Sequence, residues 1–249
     1  MIVGVDIGGT YTDVVAYDGS EFKHVSTIES KKITKEFIEE VTRKADAVGI
    51  GIAAWIKGNK IVKAPNLKIV PELDFEKYFI ENDANCFAFY SSKILNAKNL
   101  LAITVGTGIG TGIVIDGKIY RGSGLAGEIG HTFAFHRRVC SCGKVGHLEA
   151  IFGGKYIDTR FLLKSGKIYK TLGFKYFCKA IAFSVMLLDP EFVVIGGRVG
   201  GRLNEKLIEE EVKKFTAEEF EFKVVCIQDD LAVAKGAALL ATSKTHRRG

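Results

Sequence analysis

Short apolar runs and apolar stripes at helical spacing alternate along the chain, the former reading as buried strands and the latter as helices. An apolar run enters Asp6-Ile7-Gly8-Gly9-Thr10, and Val14-Val15-Ala16-Tyr17 follows and ends in Asp18-Gly19. Thr34 is placed to cap a helix that carries Phe37, Ile38, Val41 and Ala45 on one face. Residues 47–53 read as a buried strand, and residues 84–95 and 168–188 read as helices, the second stopped by Pro190. Phe192-Val193-Val194-Ile195 reads as a strand running into Gly196-Gly197. Residues 203–215 are amphipathic, residues 222–227 form a last strand, and residues 232–241 form a helix of small residues. Strands alternating with helices predict an α/β protein with mixed or parallel sheets.

The pattern repeats. Val5-Asp6-Ile7-Gly8-Gly9-Thr10 aligns with Ile103-Thr104-Val105-Gly106-Thr107-Gly108 at an offset of 98 residues, and Asp18-Gly19 aligns with Asp116-Gly117 at the same offset. Each copy is a hairpin turned on glycine and threonine. Two copies of one unit predict two related α/β halves, meeting at a hinge near Ala97 because no Pro/Ser-rich linker separates them.

Composition narrows the class. The 249 residues are 47% hydrophobic and 26% charged, as in ordinary globular proteins. The formal charge of +6 is diffuse. Its basic clusters, Lys31-Lys32, Lys213-Lys214 and His246-Arg247-Arg248, lack interleaved aromatics, so no nucleic-acid partner is expected. Asp6 interrupts the first apolar run, and Asp189-Pro190-Glu191 breaks the longest one, so neither a secretory leader nor a membrane span is expected. Five scattered cysteines, an odd number, suit a reduced cytoplasmic protein better than a disulfide framework.

Three glycine turns follow strands: residues 6–10, residues 104–112 and Gly196-Gly197-Arg198-Val199-Gly200. Backbone N–H groups in such turns cradle anions, and Thr10 adds a hydroxyl, so a nucleotide clamped between the halves is the expectation. Neither a Walker A loop nor a G-x-G-x-x-G after the first strand is present. Asn82 and Asp83 open a helix, where they suit an N-cap and first turn; they equally suit an amide and a carboxylate aimed into a cleft. Cys140, Cys142, His147 and His131 offer two thiols and two imidazoles within a short glycine-rich stretch, the donor set of a tetrahedral zinc ion. His136 competes for either histidine place, and Glu128 and Glu149 flank the set. His24 and His246 sit in polar surroundings and read as surface residues.

Together these residues resemble the ROK family of sugar kinases and related proteins, within the actin/hexokinase-like ATPase superfamily. Residues 6–10 resemble its first phosphate motif, residues 104–112 its second, and Val194-Ile195-Gly196-Gly197 its adenosine-side motif. Asn82-Asp83 match its Asn-Asp pair, residues 128–131 its Glu-x-Gly-His, and residues 140–149 its C-x-C-G-x-x-G-C-x-E. The resemblance implies two actin-like (ribonuclease H-like) α/β domains with a nucleotide/sugar cleft between them. Residues 1–97 with 232–249 would form one domain and residues 98–231 the other.

It further implies an ATP-dependent kinase acting on a glucose-like hexose or an N-acetylhexosamine at O6, with Asp83 as the base. Asn66, Asn82, Asp83, Glu128, His131 and Glu149 would bind the sugar. Asp6, Gly8, Gly9, Thr10, Thr107, Gly108, Gly196 and Gly197 would hold ATP and Mg²⁺. Structural Zn²⁺ would sit on His131, Cys140, Cys142 and His147, and the protein would be a homodimer. His147 stands where the family usually has a third cysteine, Ala54-Trp55-Ile56-Lys57 replaces its common Ala-Pro-Gly, and Gly-Trp is missing after Asn66-Leu67. Two rivals differ in class. Residues 4–13 also look like the opening of hydantoinase-type ATPases, which lack the zinc segment. A non-catalytic, sugar-sensing ROK protein would carry a helix-turn-helix before the first motif, which here begins at Asp6.

Overall fold

The protein is described by a computed structural model of residues 1–245; the basic tail at His246-Arg247-Arg248 lies outside the described residues. The first repeat copy is β1 (Ile2–Ile7) and β2 (Tyr11–Tyr17), followed by β3 (Phe22–Glu29), α1 (Lys35–Thr42) and β4 (Ala47–Ile52). A small hairpin comes next, β5 (Trp55–Lys57) with β6 (Lys60–Lys63), then β7 (Phe79–Asn82) and α2 (Asp83–Leu95). The second copy is β8 (Leu100–Val105) and β9 (Ile109–Ile115), with β10 (Lys118–Tyr120), α3 (Glu149–Phe152), α4 (Thr159–Lys164) and α5 (Leu172–Leu188) after it. β11 (Phe192–Gly196), α6 (Gly197–Gly200), α7 (Glu205–Lys213), β12 (Lys223–Cys226) and α8 (Ala232–Thr245) complete the order.

The repeat extends from hairpins to whole sheets. One five-stranded sheet runs β3-β2-β1-β4-β7 and the other β10-β9-β8-β11-β12. In each, the repeat hairpin is antiparallel and the two strands beyond it are parallel. The strand bounds keep the 98-residue offset, but pairing does not: Ile7 faces Thr12, whereas Val105 faces Ile109. The second turn is thereby one residue tighter.

Alternation explains the core. Val3, Val5 and Ile7 pack with Val14, Ile38, Ile50 and Ile52 under one sheet. Leu101, Ile103, Phe152, Phe177, Ile181 and Ile195 do so under the other. The helices α2 and α8 pack on each other; α2 also covers β8 and β9, and α8 covers β1 and β4. The small residues foreseen in α8 permit this: a Cβ on Gly4 or Gly49 would strike the backbone carbonyl oxygens of Ala234 or Ala237 at 2.0 and 1.9 Å.

Several boundaries differ from the sequence expectation. Thr34 caps α1 by accepting from Phe37 N, but the helix ends before Ala45, which still packs on the core. The helix expected over 168–188 is interrupted: a 3₁₀ turn (Lys167–Lys170) precedes Thr171, whose hydroxyl accepts from Phe174 N and caps α5. Asp189, left-handed at φ 44°, ends α5 just before Pro190. Residues 203–215 contract to Glu205–Lys213 because Asn204 is the N-cap, and α8 continues beyond 241. The strands β3, β5, β6, β7 and β10 were not foreseen. No described helix is long and apolar enough to cross a membrane.

Candidate active site

Both repeat turns open onto one cleft of about 460 Å³, lined by Asp6, Gly8, Gly9 and Thr10 from one sheet and by Thr107 and Gly108 from the other. The turns touch, with Thr10 Oγ1 and Thr107 Oγ1 3.0 Å apart. Gly197 lines the cleft at φ 81°, a conformation that favours glycine. Gly196 instead lies against the core, where a Cβ would come within 2.3 Å of the Phe87 ring.

Asp6 faces Asp13 across the hairpin, an unfavourable pairing of like charges. Arg198, in α6 just after β11 of the other sheet, offsets it. One guanidinium nitrogen lies 3.4 Å from Asp13 Oδ2, and the guanidinium stands 4.1 Å from the Tyr11 ring centroid. Asp6 Oδ1 is buried without a hydrogen-bond partner. Burial and the charges of Asp83 and Asp13 hold the Asp6 carboxyl well above the usual carboxylate range, with Arg198 opposing.

Asn82 and Asp83 sit where β7 meets α2. Asn82 Oδ1 accepts from Asn85 N at 3.2 Å and caps the helix, while its amide nitrogen donates to Ala54 O at 3.1 Å. Asp83 lines the cleft; its Oδ1 accepts from Ala84 N at 2.9 Å. Burial pushes the Asp83 carboxyl up to about 6; the Ala84 N–H pulls it down, and the Glu149 charge adds to the rise. Behind it, buried Glu81 accepts from Asn85 Nδ2 at 3.0 Å and from Arg121 Nε at 2.7 Å. That pair ties the strand before Asp83 to the loop before Glu128.

The opposite wall holds Glu128, His131 and Glu149, facing Asn66. Glu149 is 1% exposed and fully engaged. Its Oε2 accepts from Ile109 N at 3.0 Å and Asn66 Nδ2 at 3.2 Å, and its Oε1 from Ser141 Oγ at 2.5 Å and Cys140 Sγ at 3.4 Å. Asn66 Oδ1 is left buried and unpaired. Gly108 makes this contact possible, because a Cβ there would lie 2.2 Å from Glu149 Oε2 and 2.4 Å from Asn66 Nδ2. Glu128 Oε2 lies 3.7 Å from His131 Nε2. Burial raises the Glu128 carboxyl to about 7, against the pull of a hydrogen bond from the Trp55 side chain.

His131 turns its other nitrogen away from the cleft. His131 Nδ1 lies 3.2 Å from His147 Nδ1 and 3.5 Å from Cys140 Sγ, and Cys142 Sγ lies 3.2 Å from His147 Nδ1. One donor atom from each of the four falls within 4.8 Å of the others. A tetrahedral zinc ion, bound at about 2.0–2.1 Å to nitrogen and about 2.3 Å to sulfur, spaces its ligands about 3.3–3.8 Å apart. The donor set and these three separations fit that ion. His136 stands outside the group: Nδ1 accepts from Arg138 N at 3.0 Å, so Nε2 carries the proton and donates to His147 O at 2.8 Å.

A family model described as ROK family matches residues 2–244. The chain belongs to the ROK family. Xylose repressors of Caldicellulosiruptor bescii and Bacillus subtilis are 31% and 34% identical to it over 59% and 66% of the chain. The chain spans about half the length of these relatives, 45% and 49% respectively. A glucokinase of Thermotoga maritima is 29% identical over 84% of the chain and 87% of its own length. Among solved structures, a ROK hexokinase from Thermus thermophilus superposes with a TM-score of 0.80 at 25% identity, covering 99% of each chain. The two sheets are thus those of ROK sugar kinases, in the actin-like ATPase fold. Arg198, Lys63 and Ser141 were not singled out for a role by sequence reasoning, and Trp55 stood out only within the segment that departs from the family pattern. Arg198 carried a signal, a cation inside the third glycine turn; the others depend on contacts between segments far apart in the chain.

Proposed function

We propose that this chain is an ATP-dependent kinase that phosphorylates a hexose, glucose-like or N-acetylated, at O6. The observation that carries the reading is the placement of Asp83 in the cleft, between two touching phosphate-type turns and a wall of Glu128 and His131. The turns at residues 6–10 and 107–108 offer backbone N–H groups and two threonine hydroxyls to the phosphates of ATP. The unpartnered Asp6 Oδ1 suits the water shell of Mg²⁺, which would neutralise charge on the transferring phosphoryl group.

Asn66, Asn82, Glu128, His131 and Glu149 would orient the sugar, Glu149 by holding Asn66 in place. The sugar hydroxyl attacks the γ-phosphorus as Asp83 accepts its proton, and the bond to the ADP oxygen breaks. A carboxylate suffices because the transition state is loose. Zinc on His131, Cys140, Cys142 and His147 would fix the imidazole orientation and tautomer. His131 Nδ1, on the side of Cys140 and His147, would bind the ion, and its proton would then stay on Nε2, facing Glu128 and the cleft. Residues 1–97 with the helix from 232 would move as one domain against 98–231, closing over the substrates. The five free cysteines support a reducing, cytoplasmic setting.

A second reading, a sugar-binding regulator without turnover, is favoured by the identity to xylose repressors. Coupled ADP release measured over glucose, fructose, mannose, N-acetylglucosamine and N-acetylmannosamine separates the two. A kinase releases ADP with at least one sugar, and Asp83→Asn lowers kcat by about 10²–10⁴-fold with little change in sugar affinity. Sugar binding without ADP release would establish the regulator instead.

A further inference from the structure

Trp55 is the chain's single tryptophan, and it lines the cleft with Glu128 and His131. It begins β5, on the hairpin between β4 and β7, yet it also packs on the segment that follows β10. Its ring meets the His131 ring edge-on, 5.3 Å between centroids at 87°, and packs against buried Cys140, Cys142 and Ala150. Lys63, the partner of Trp55 across the hairpin, places Nζ 5.6 Å from the ring centroid and donates to Cys142 O at 2.6 Å. The indole is therefore clamped between the hairpin and the His/Cys loop. An aromatic side chain fixed in this way presents a rigid surface at little cost in conformational entropy.

Glu128 and His131 are the two groups proposed to meet sugar hydroxyls, and Trp55 abuts both. Whatever projects from the sugar ring beside that pair meets a surface that cannot retreat. We propose that Trp55 is the specificity-determining residue of the acceptor pocket. Its indole closes the space beside Glu128 and His131, so the chain takes unsubstituted hexoses in preference to N-acetylated hexosamines. The inference rests on the acceptor-pocket reading above.

Binding and turnover are tested separately. Wild-type fluorescence, excited at the red edge where tyrosine does not absorb so that it reports Trp55 alone, is titrated with glucose and with N-acetylglucosamine in the absence of nucleotide. Calorimetric affinities and kcat and KM for both sugars are then measured for the wild type, Trp55→Phe and Trp55→Ala. Glucose should change the emission saturably and N-acetylglucosamine only weakly. Trp55→Ala should shift the kcat/KM ratio toward N-acetylglucosamine by about tenfold or more, chiefly through KM, with Trp55→Phe intermediate. Far-UV circular dichroism confirms folding, and the phenylalanine variant keeps a ring in place if the alanine variant does not fold.

A wild-type preference for N-acetylglucosamine overturns the inference. So does an unchanged ratio in both variants, and there the kinase reading stands if ADP is released. Saturable binding with no ADP release sinks the kinase reading alone, and the ratio of dissociation constants then decides the role of Trp55 in the same way. A wild type that neither binds nor phosphorylates a sugar removes both.

Discussion

Asp83 shows how the site works against stability. Its carboxyl ordinarily titrates near 3.8 and is raised to about 6 here. Between those values the folded chain keeps a proton that the unfolded chain has released. Stability therefore falls as pH rises through this window, and the deficit persists above it. Asp83→Asn mimics the protonated acid and should stabilise the protein by up to about 2 kcal/mol near neutral pH, with no gain below about pH 4. Thermal denaturation of both proteins at the two pH values checks this. For the proposed kinase the sign is opposite, since Asp83 as a base must be ionised, so turnover should climb as pH passes about 6. An asparagine variant no more stable than wild type at neutral pH would show that Asp83 titrates normally.

At the scale of elements, the segment from residue 121 to 148 has little regular structure. It holds a 3₁₀ turn, Ile129–His131, and two isolated bridges, Phe133 with His147 and Val139 with Val145. Side-chain contacts order it: the His/Cys group, the Glu149 bonds to Ser141 and Cys140, and Lys63 to the Cys142 carbonyl. A metal on the four ligands would cross-link both ends of this loop and fix His131 at the cleft wall. Chelation should remove about one zinc per chain and weaken sugar binding about 10–100-fold, while nucleotide affinity stays within about twofold. Cys142→Ser should do the same. Metal analysis with calorimetry for each ligand tests it; equal loss of both affinities would mean the loop is needed for the whole fold.

Across the whole molecule, the two sheets are joined by few polar contacts, and most reach the site. Thr10 meets Thr107, Asn66 meets Glu149, Asp13 meets Arg198, and Glu81 meets Arg121. Both ion pairs bury their acidic side, Asp13 at 6% and Glu81 at 8% side-chain exposure, and the Glu81–Arg121 pair is the closer, at 2.7 Å against 3.4 Å. Removing the Arg121 cation leaves a buried carboxylate without its charge partner. Arg121→Ala should cost about 2 kcal/mol, a Tm fall of about 4–8 °C. It should also lower kcat, because Glu81 braces the turn carrying Asp83. Glu81→Gln combined with Arg121→Ala should recover part of the stability. A silent Arg121→Ala in both measurements would remove the pair from this role.

The hairpins, the 98-residue repeat, the caps at Thr34 and Asn82 and the grouping of His131, Cys140, Cys142 and His147 were legible in the sequence because each depends on neighbours close along the chain. Local periodicity and turn chemistry decide such features, and the repeat then implies two sheets of one order. Three things needed the tertiary structure. The choice of His147 over His136 follows from backbone groups that engage both nitrogens of the His136 ring. The core position of Gly196 follows from Phe87, which packs against it from α2. The clamp on Trp55 brings together residues 55, 63, 131 and 142, which no spacing in the chain connects. Sequence alone determined which chemistry the chain possesses. Only folding decided which groups face the cleft, because burial and long-range contact, not spacing, set their neighbours and their charge.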